Sequence, residues 1–337
     1  MKILAFGEVM MRLTPPQYKL IQQTDNVDLS FTGTGVNILS SLAHFGYETS
    51  MLTILPDNQV GRAAAGAIRS LGIKDEFVRY QGDHMGLYFL EMGFGNRPSE
   101  VTYLNRLASS FGESTLIDYD LATAVANSEV IHICGIALML SEGTRQAAFK
   151  LAELAHQAGK KVCFDFNYRP SLNKHNSHEW VKQQFEAILP YCDIVIGGIR
   201  DLTELMDFKI PTELESFIEQ LTYVSQMFVK QYQLTYFAGT IRQKETTQPS
   251  IRGFVTSNQA FTLSQPMELQ VYDRIGTGDA YAAGIITGMI EKWDNQKMVQ
   301  FAINNAVLAH TTFGDSPLMR REQVEAFSQE NRGDVIR

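Results

Sequence analysis

Short apolar runs alternate with longer stretches of helical period along most of this chain. Ile3 to Phe6 is apolar and closes on Gly7, which predicts a buried first strand. Asn37 to Phe45 has a helical pattern ending at Gly46. Ser50 to Leu55 predicts a second strand, and Gly61 to Leu71 a helix that stops at Gly72. Val130 to Ile133, Lys161 to Phe166 and Asp193 to Ile196 read as further strands, with helices at Thr144 to Ala158 and His178 to Leu189 between them. A run of small and apolar residues, Ala280 to Ile290, predicts a late helix. Strands alternating with helices imply βαβ units and an α/β fold with a mostly parallel central sheet.

Two stretches break the alternation. Met11 to Phe31, and Glu76 to about Leu104, mix polar residues with Tyr80, Tyr88, Phe89, Phe94 and Tyr103. They predict antiparallel strands outside the main sheet: a small β lid inserted at about 11–31 and 76–106 of a single domain spanning 1–337. Aromatic lid strands favour edge-to-edge pairing, so a homo-oligomer formed through the lid is expected.

Composition narrows the partners. Of 337 residues 45% are hydrophobic and 20% charged, as expected of a globule with a sizeable core. The net charge of -8 disfavours nucleic acid and anionic membranes as partners, and an anionic substrate then needs local arginines. Cys134, Cys163 and Cys192 are widely spaced among apolar neighbours, which fits reduced thiols and a cytoplasmic setting. No apolar run reaches the 18 residues of a membrane span. The seven histidines show no ligand spacing, and no Walker-type Gly-Lys-Ser/Thr string occurs.

Two segments carry candidate chemistry. In Asp273 to Gly284, Gly276, Thr277 and Gly278 form a loop, Asp279 follows at once, and then the late helix begins. Glycines let backbone N–H groups turn inward and a helix N-terminus adds partial positive charge, so together they suit a phosphate. An acid beside that cradle can take a proton from a hydroxyl attacking the phosphate. The plain alternative is a turn capped by Asp279. In Phe31 to Gly46, Gly33 and Gly35 permit close approach of a ligand, and Asn37 offers a donor and an acceptor to a sugar hydroxyl, or else caps the helix.

Taken together and in this order, these segments resemble the two motif regions of ribokinase-like, PfkB-type carbohydrate kinases. The resemblance covers nearly the whole chain, although Thr32-Gly33 stands where such kinases usually have a Gly pair. It implies a three-layer sandwich with a lid, ATP and Mg²⁺ as cofactors, and Asp279 as general base. Within the family, several stretches are similar to 2-keto-3-deoxygluconate kinases: Phe6 to Pro16, Gly86 to Glu91, Tyr103 to Arg106, Asp165 to Pro170 and His310 to Asp315.

That substrate carries a carboxylate, a keto group and a terminal alcohol. Arg106 and Arg169 can give planar, charge-assisted hydrogen bonds to the acid. Tyr88 and Tyr103 can add hydroxyls and aromatic walls. For Arg169 the alternative is an ion pair with Asp165; for the tyrosines it is packing. Glu8 would repel a carboxylate and reads as a brace for the first strand. On the nucleotide side Gly276, Gly278, Arg242 and Gly314 are the candidate contacts. The family's Asn-x-x-Glu element, which acts on magnesium through water, reads Gly198-Ile199-Arg200-Asp201 here; Asp201 stands where the acid belongs, but Gly198 replaces the Asn. Two rival readings share the scaffold: a kinase of a neutral sugar such as fructose or ribose, and a non-catalytic sugar-binding protein.

Overall fold

The computed structural model describes residues 1–243 and 249–327. Among these, eleven strands form one sheet in the order Phe261–Leu263, Ser250–Thr256, Tyr236–Gln243, Ile194–Ile196, Lys161–Asp165, Val130–Cys134, Lys2–Phe6, Glu48–Leu55 and Ile73–Lys74, with Met267–Glu268 beside Ser250–Thr256 and Val78–Tyr80 beside Glu48–Leu55. Pairing is parallel from Tyr236–Gln243 across to Ile73–Lys74 and antiparallel at the other edge.

Alternation along the inner strands feeds two cores. Leu4 and Phe6 face one cluster and Ile3 and Ala5 the other. The helices Leu121–Ala126, Glu142–Gln157, His178–Ile188 and Phe217–Tyr232 cover the first face. The helices Thr34–His44, Gln59–Ser70, Thr277–Ile290 and Asn295–Ala309 cover the second. This is the expected ribokinase-like three-layer α/β sandwich with a mostly parallel central sheet. The predicted helices and strands fall within a few residues of those observed.

A separate four-stranded sheet has the order Asp28–Thr32, Met10–Thr14, Leu87–Glu91, Glu100–Leu104. Two details differ from expectation. Met10–Thr14 and Leu87–Glu91 run parallel, because they are joined not by a hairpin but by a long crossover that includes the helices Thr34–His44 and Gln59–Ser70 and the strand Glu48–Leu55. Val78–Tyr80, within the stretch 76–106 read as lid, instead extends the edge of the main sheet. No helix among the described residues is long and apolar enough to cross a membrane.

Candidate active site

The carboxyl ends of the central strands, the N-termini of two helices and the small sheet enclose a cavity of about 430 Å³. Every strand of the small sheet reaches it: Met10, Thr32, Tyr88, and Val101 with Tyr103. Of the residues singled out from sequence, Gly33, Asn37, Tyr88, Tyr103, Arg106, Arg169, Arg242, Gly276, Thr277, Gly278 and Asp279 line the cavity; Gly35, Gly314 and Asp201 do not.

The helix Thr277–Ile290 starts at Gly276, whose φ of 76° is left-handed. A side chain there would also overlap the Asp315 carbonyl oxygen, so only glycine lets the two loops touch. No side chain caps this helix. Its first-turn N–H groups therefore face the cavity as orphan donors, beside Arg242 and Arg274. Arg242 Nη2 donates to Thr277 Oγ1 at 3.3 Å and lies 3.2 Å from His310 Nε2. Burial, with Arg242 adding to it, pushes His310 down to about 4. The ring is neutral, its Nδ1–H donating to the Ala306 carbonyl at 2.7 Å, so Nε2 accepts from the arginine.

Asp279 sits in the first helical turn and is buried. Its Oδ2 accepts from Asn37 Nδ2 at 2.7 Å, while Oδ1 has no hydrogen-bond partner among the described residues. Burial raises its pKa to about 6, with Asp315 adding to the rise and the Asn37 donor opposing it. Asn37 Oδ1 accepts from Ser316 Oγ at 3.1 Å and lies 3.0 Å from Thr32 Oγ1, which turns Nδ2 toward Asp279.

Gly33 precedes the helix Thr34–His44 and passes so close to Glu8 that a Cβ would overlap its carbonyl oxygen. Gly35, expected to face a ligand, faces the core. A Cβ would lie 3.1 Å from Ala5 Cβ and 3.2 Å from Met51 Cε. Gly35→Val is therefore expected to lower stability by about 1–3 kcal/mol through overpacking, while the KM of the folded fraction stays at the wild-type value. Denaturant midpoints beside steady-state rates check both halves.

Arg106 is 6% exposed, and its Nε donates to Glu8 Oε2 at 2.7 Å. Its two Nη groups have no hydrogen-bond partner among the described residues, and Tyr103 stacks 5.0 Å from the guanidinium carbon. Glu8 thus braces Arg106 as well as its own strand. Burial raises the Glu8 pKa against the pull of Arg106. Arg169 is exposed on the cavity wall and makes no ion pair with Asp165, although its charge acts on both Asp165 and Asp279. Tyr88 is buried, donates its hydroxyl to Asp315 Oδ2, and lies 5.7 Å from Tyr103 between ring centres.

Gly314 sits behind the site, its N–H 3.2 Å from Asp273 Oδ2. Asp201, in a π-helical turn, accepts the Gly198 N–H at 2.7 Å, and burial raises its carboxyl pKa. Its carboxylate therefore acts from behind Gly197 and Gly198, which do line the cavity.

Sequence reasoning gave no site role to Asp165, Asn167, Asp315 or Arg274, which also line the cavity. All four stood inside motif strings already quoted, but what surrounds them depends on residues far along the chain. Burial, with Asp279 as a neighbour, raises Asp165 from the ordinary 3.8 to about 8. Its ionised form is thus disfavoured in the fold but not in the unfolded chain. Between about pH 4 and 8 the unfolded state holds fewer protons at this group, so stability falls as pH rises. Asp165→Asn is expected to raise the melting temperature at pH 8 and to leave it nearly unchanged at pH 4; thermal unfolding at the two pH values checks this.

The layered fold, the glycine loop at an uncapped helix start and the buried carboxylate define a phosphoryl-transfer scaffold. The chain belongs to the pfkB family of carbohydrate kinases, whose family profile matches residues 1–236. It is 49% identical to a proposed 2-keto-3-deoxygluconate kinase from Enterococcus faecalis, with a TM-score of 0.96, covering 100% of this chain and 98% of that one. It is 30% identical to the 2-dehydro-3-deoxygluconokinase of Thermotoga maritima, with a TM-score of 0.91, covering 96% and 97%. It is 24% identical to the 2-dehydro-3-deoxygalactonokinase of Haloferax volcanii, covering 96% of this chain and 95% of that protein.

Proposed function

We propose that the protein phosphorylates 2-keto-3-deoxygluconate on its 6-hydroxyl at the expense of ATP, giving 2-keto-3-deoxy-6-phosphogluconate. One observation carries the reading: a single cavity holds a buried carboxylate at an uncapped helix N-terminus and, on its lid side, a buried arginine with both Nη groups unpaired. The first suits transfer to an alcohol, and the second suits a substrate carboxylate. The named relatives at 49% and 30% identity support the same substrate.

In this reading Arg106 and Arg169 hold the acid end, and Tyr88 and Tyr103 wall the chain of the sugar acid. The 6-hydroxyl then lies at Asp279. Asn37 occupies Oδ2, so the free Oδ1 takes the hydroxyl proton as the oxygen attacks the γ-phosphorus in line and ADP departs. The N–H groups of Thr277 and Gly278, with Arg242 and Arg274, face the charge spread over the phosphoryl oxygens. Mg²⁺ would neutralise phosphate charge. The donor set fits an ion held mainly by phosphates and water: Asp165 on the cavity wall would act on its waters, Asp201 behind Gly197 and Gly198 would add only its charge, and no group of three or more His, Cys, Asp or Glu among the described residues forms a cage. The edges of the small sheet expose Leu29, Tyr103 and Leu104, which supports pairing of two copies there.

Steady-state ADP release with the gluconate and galactonate epimers of the keto-deoxy acid tests the substrate. Turnover on either acid, with fructose and ribose inert, supports the reading. Turnover on a neutral sugar alone keeps the base and discards the carboxylate clamp.

A further inference from the structure

Arg12 stands on the strand Met10–Thr14 of the small sheet with its side chain wholly out of solvent. A buried guanidinium is costly unless its donors are met. Here each nitrogen is used. Nε donates to Thr14 Oγ1 at 2.8 Å, Nη2 to Asp273 Oδ2 at 2.7 Å, and Nη1 to Asp315 Oδ1. The Phe313 ring covers one face, 5.3 Å from Cζ.

The two carboxylates belong to the two loops on the nucleotide side. Asp273 opens the loop that leads to Asp279, and it also accepts the N–H groups of Ile275 and Gly314, which ties the two loops together. Asp315 accepts from Thr32 Oγ1 at 2.9 Å and from the Tyr88 hydroxyl. Three strands of the small sheet thus send one donor each to a single carboxylate: Arg12, Thr32 and Tyr88. From Thr32 the contacts run on through Asn37 to Asp279, at 3.0 and 2.7 Å.

We propose that Arg12 is a positioning residue that fastens the small sheet to the loop bearing Asp279 and so keeps phosphoryl transfer directed to the sugar instead of to water. The proposal rests on the kinase function above. The competing reaction is simple. A water oxygen bonds the γ-phosphorus, the bond from that phosphorus to the ADP oxygen breaks, the proton passes to Asp279, and ADP and inorganic phosphate leave. The same base serves both acceptors, so what discriminates is which oxygen the closed site admits. Without Arg12, two buried carboxylates lose their shared counter-charge and keep only neutral donors, and the sheet loses its one hydrogen bond to Asp273 among the described residues. A lysine keeps the charge but, as a point charge on a flexible stem, cannot hold both carboxylates in a fixed plane.

The test measures ADP release from Mg²⁺-ATP with and without 2-keto-3-deoxygluconate, for the wild type, Arg12→Met, Arg12→Lys and Asp273→Asn, each scaled to its folded fraction. Sugar-dependent release is expected to fall about 100-fold in Arg12→Met, the scale of a misplaced reactive geometry. The ratio of sugar-independent to sugar-dependent release is expected to rise about 10-fold or more, with Arg12→Lys and Asp273→Asn intermediate. If both rates fall together and the ratio stays at the wild-type value, Arg12 is only structural and the proposal is overturned. Should Arg12→Met fail to fold, the ratio in Arg12→Lys and Asp273→Asn decides by the same criterion. A wild type with no sugar-dependent release overturns the kinase function itself, and the role of Arg12 with it.

Discussion

Asp279→Asn is expected to bind ATP and the sugar acid with near-normal affinity and to lose about 10³-fold or more in turnover, the scale of a positioned general base. The substitution is nearly isosteric. The new amide can still offer its oxygen to Asn37 Nδ2, 2.7 Å from the present Oδ2, so the contacts that orient the loop survive. What is lost is a group able to take a proton. The pH profile gives an independent check. With Asp279 raised to about 6, kcat/KM of the wild type should fall on the acid side with an apparent pKa near that value. Stability should move the opposite way from activity. The carboxyl ionises at about 3.8 in the unfolded chain and about 6 in the fold, so it costs stability increasingly as pH rises through that window. The asparagine variant should therefore be the more stable protein above pH 6 and match the wild type near pH 3.5. Near-normal turnover in that variant would remove Asp279 from the chemistry.

The second large effect concerns Arg106. Arg106→Met should lower kcat/KM for the acid by about 100-fold or more, because a bidentate, charge-assisted contact in a partly dry site is lost. It should also cost about 3–5 kcal/mol of stability, because Glu8 would stay buried with only Ser109 Oγ, 3.4 Å away, to serve it. The two effects can be separated. Adding Glu8→Gln to Arg106→Met removes the stranded charge and should restore much of the stability, but none of the activity on the acid. Recovery of activity in the double variant would show that Arg106 serves packing and not the substrate. Chemical denaturation beside steady-state kinetics reads both.

The parts of this site that were legible in the sequence are those whose meaning is local. Gly276 to Asp279 compresses a left-handed turn, an uncapped helix start and an acid into four residues, and each type has a reason to be there. The alternating strands and helices were equally plain, because burial on both faces writes continuous apolar runs. Gly35 misled because a glycine that makes room for Met51 and one that makes room for a ligand look alike in sequence. Glu8 was read as a brace, but the partner it braces, Arg106, lies 98 residues on. Asp315 and Arg12 went without a role because their partners are 227 and 303 residues away, and only the closed fold puts Tyr88, Arg12 and Thr32 around one carboxylate. Asp165 stood in a recognised string, yet its raised pKa comes from burial beside Asp279, which no spacing along the chain expresses.

The most direct measurement is ADP release by the purified protein with ATP, Mg²⁺ and 2-keto-3-deoxygluconate, run beside fructose, ribose and gluconate. Turnover on the keto-deoxy acid and none on the other three is the expected result. Turnover on fructose or ribose with none on the acid would contradict the pairing of Arg106 with a substrate carboxylate, and no turnover on any of the four would contradict the assignment of this cavity to phosphorylation of that sugar acid.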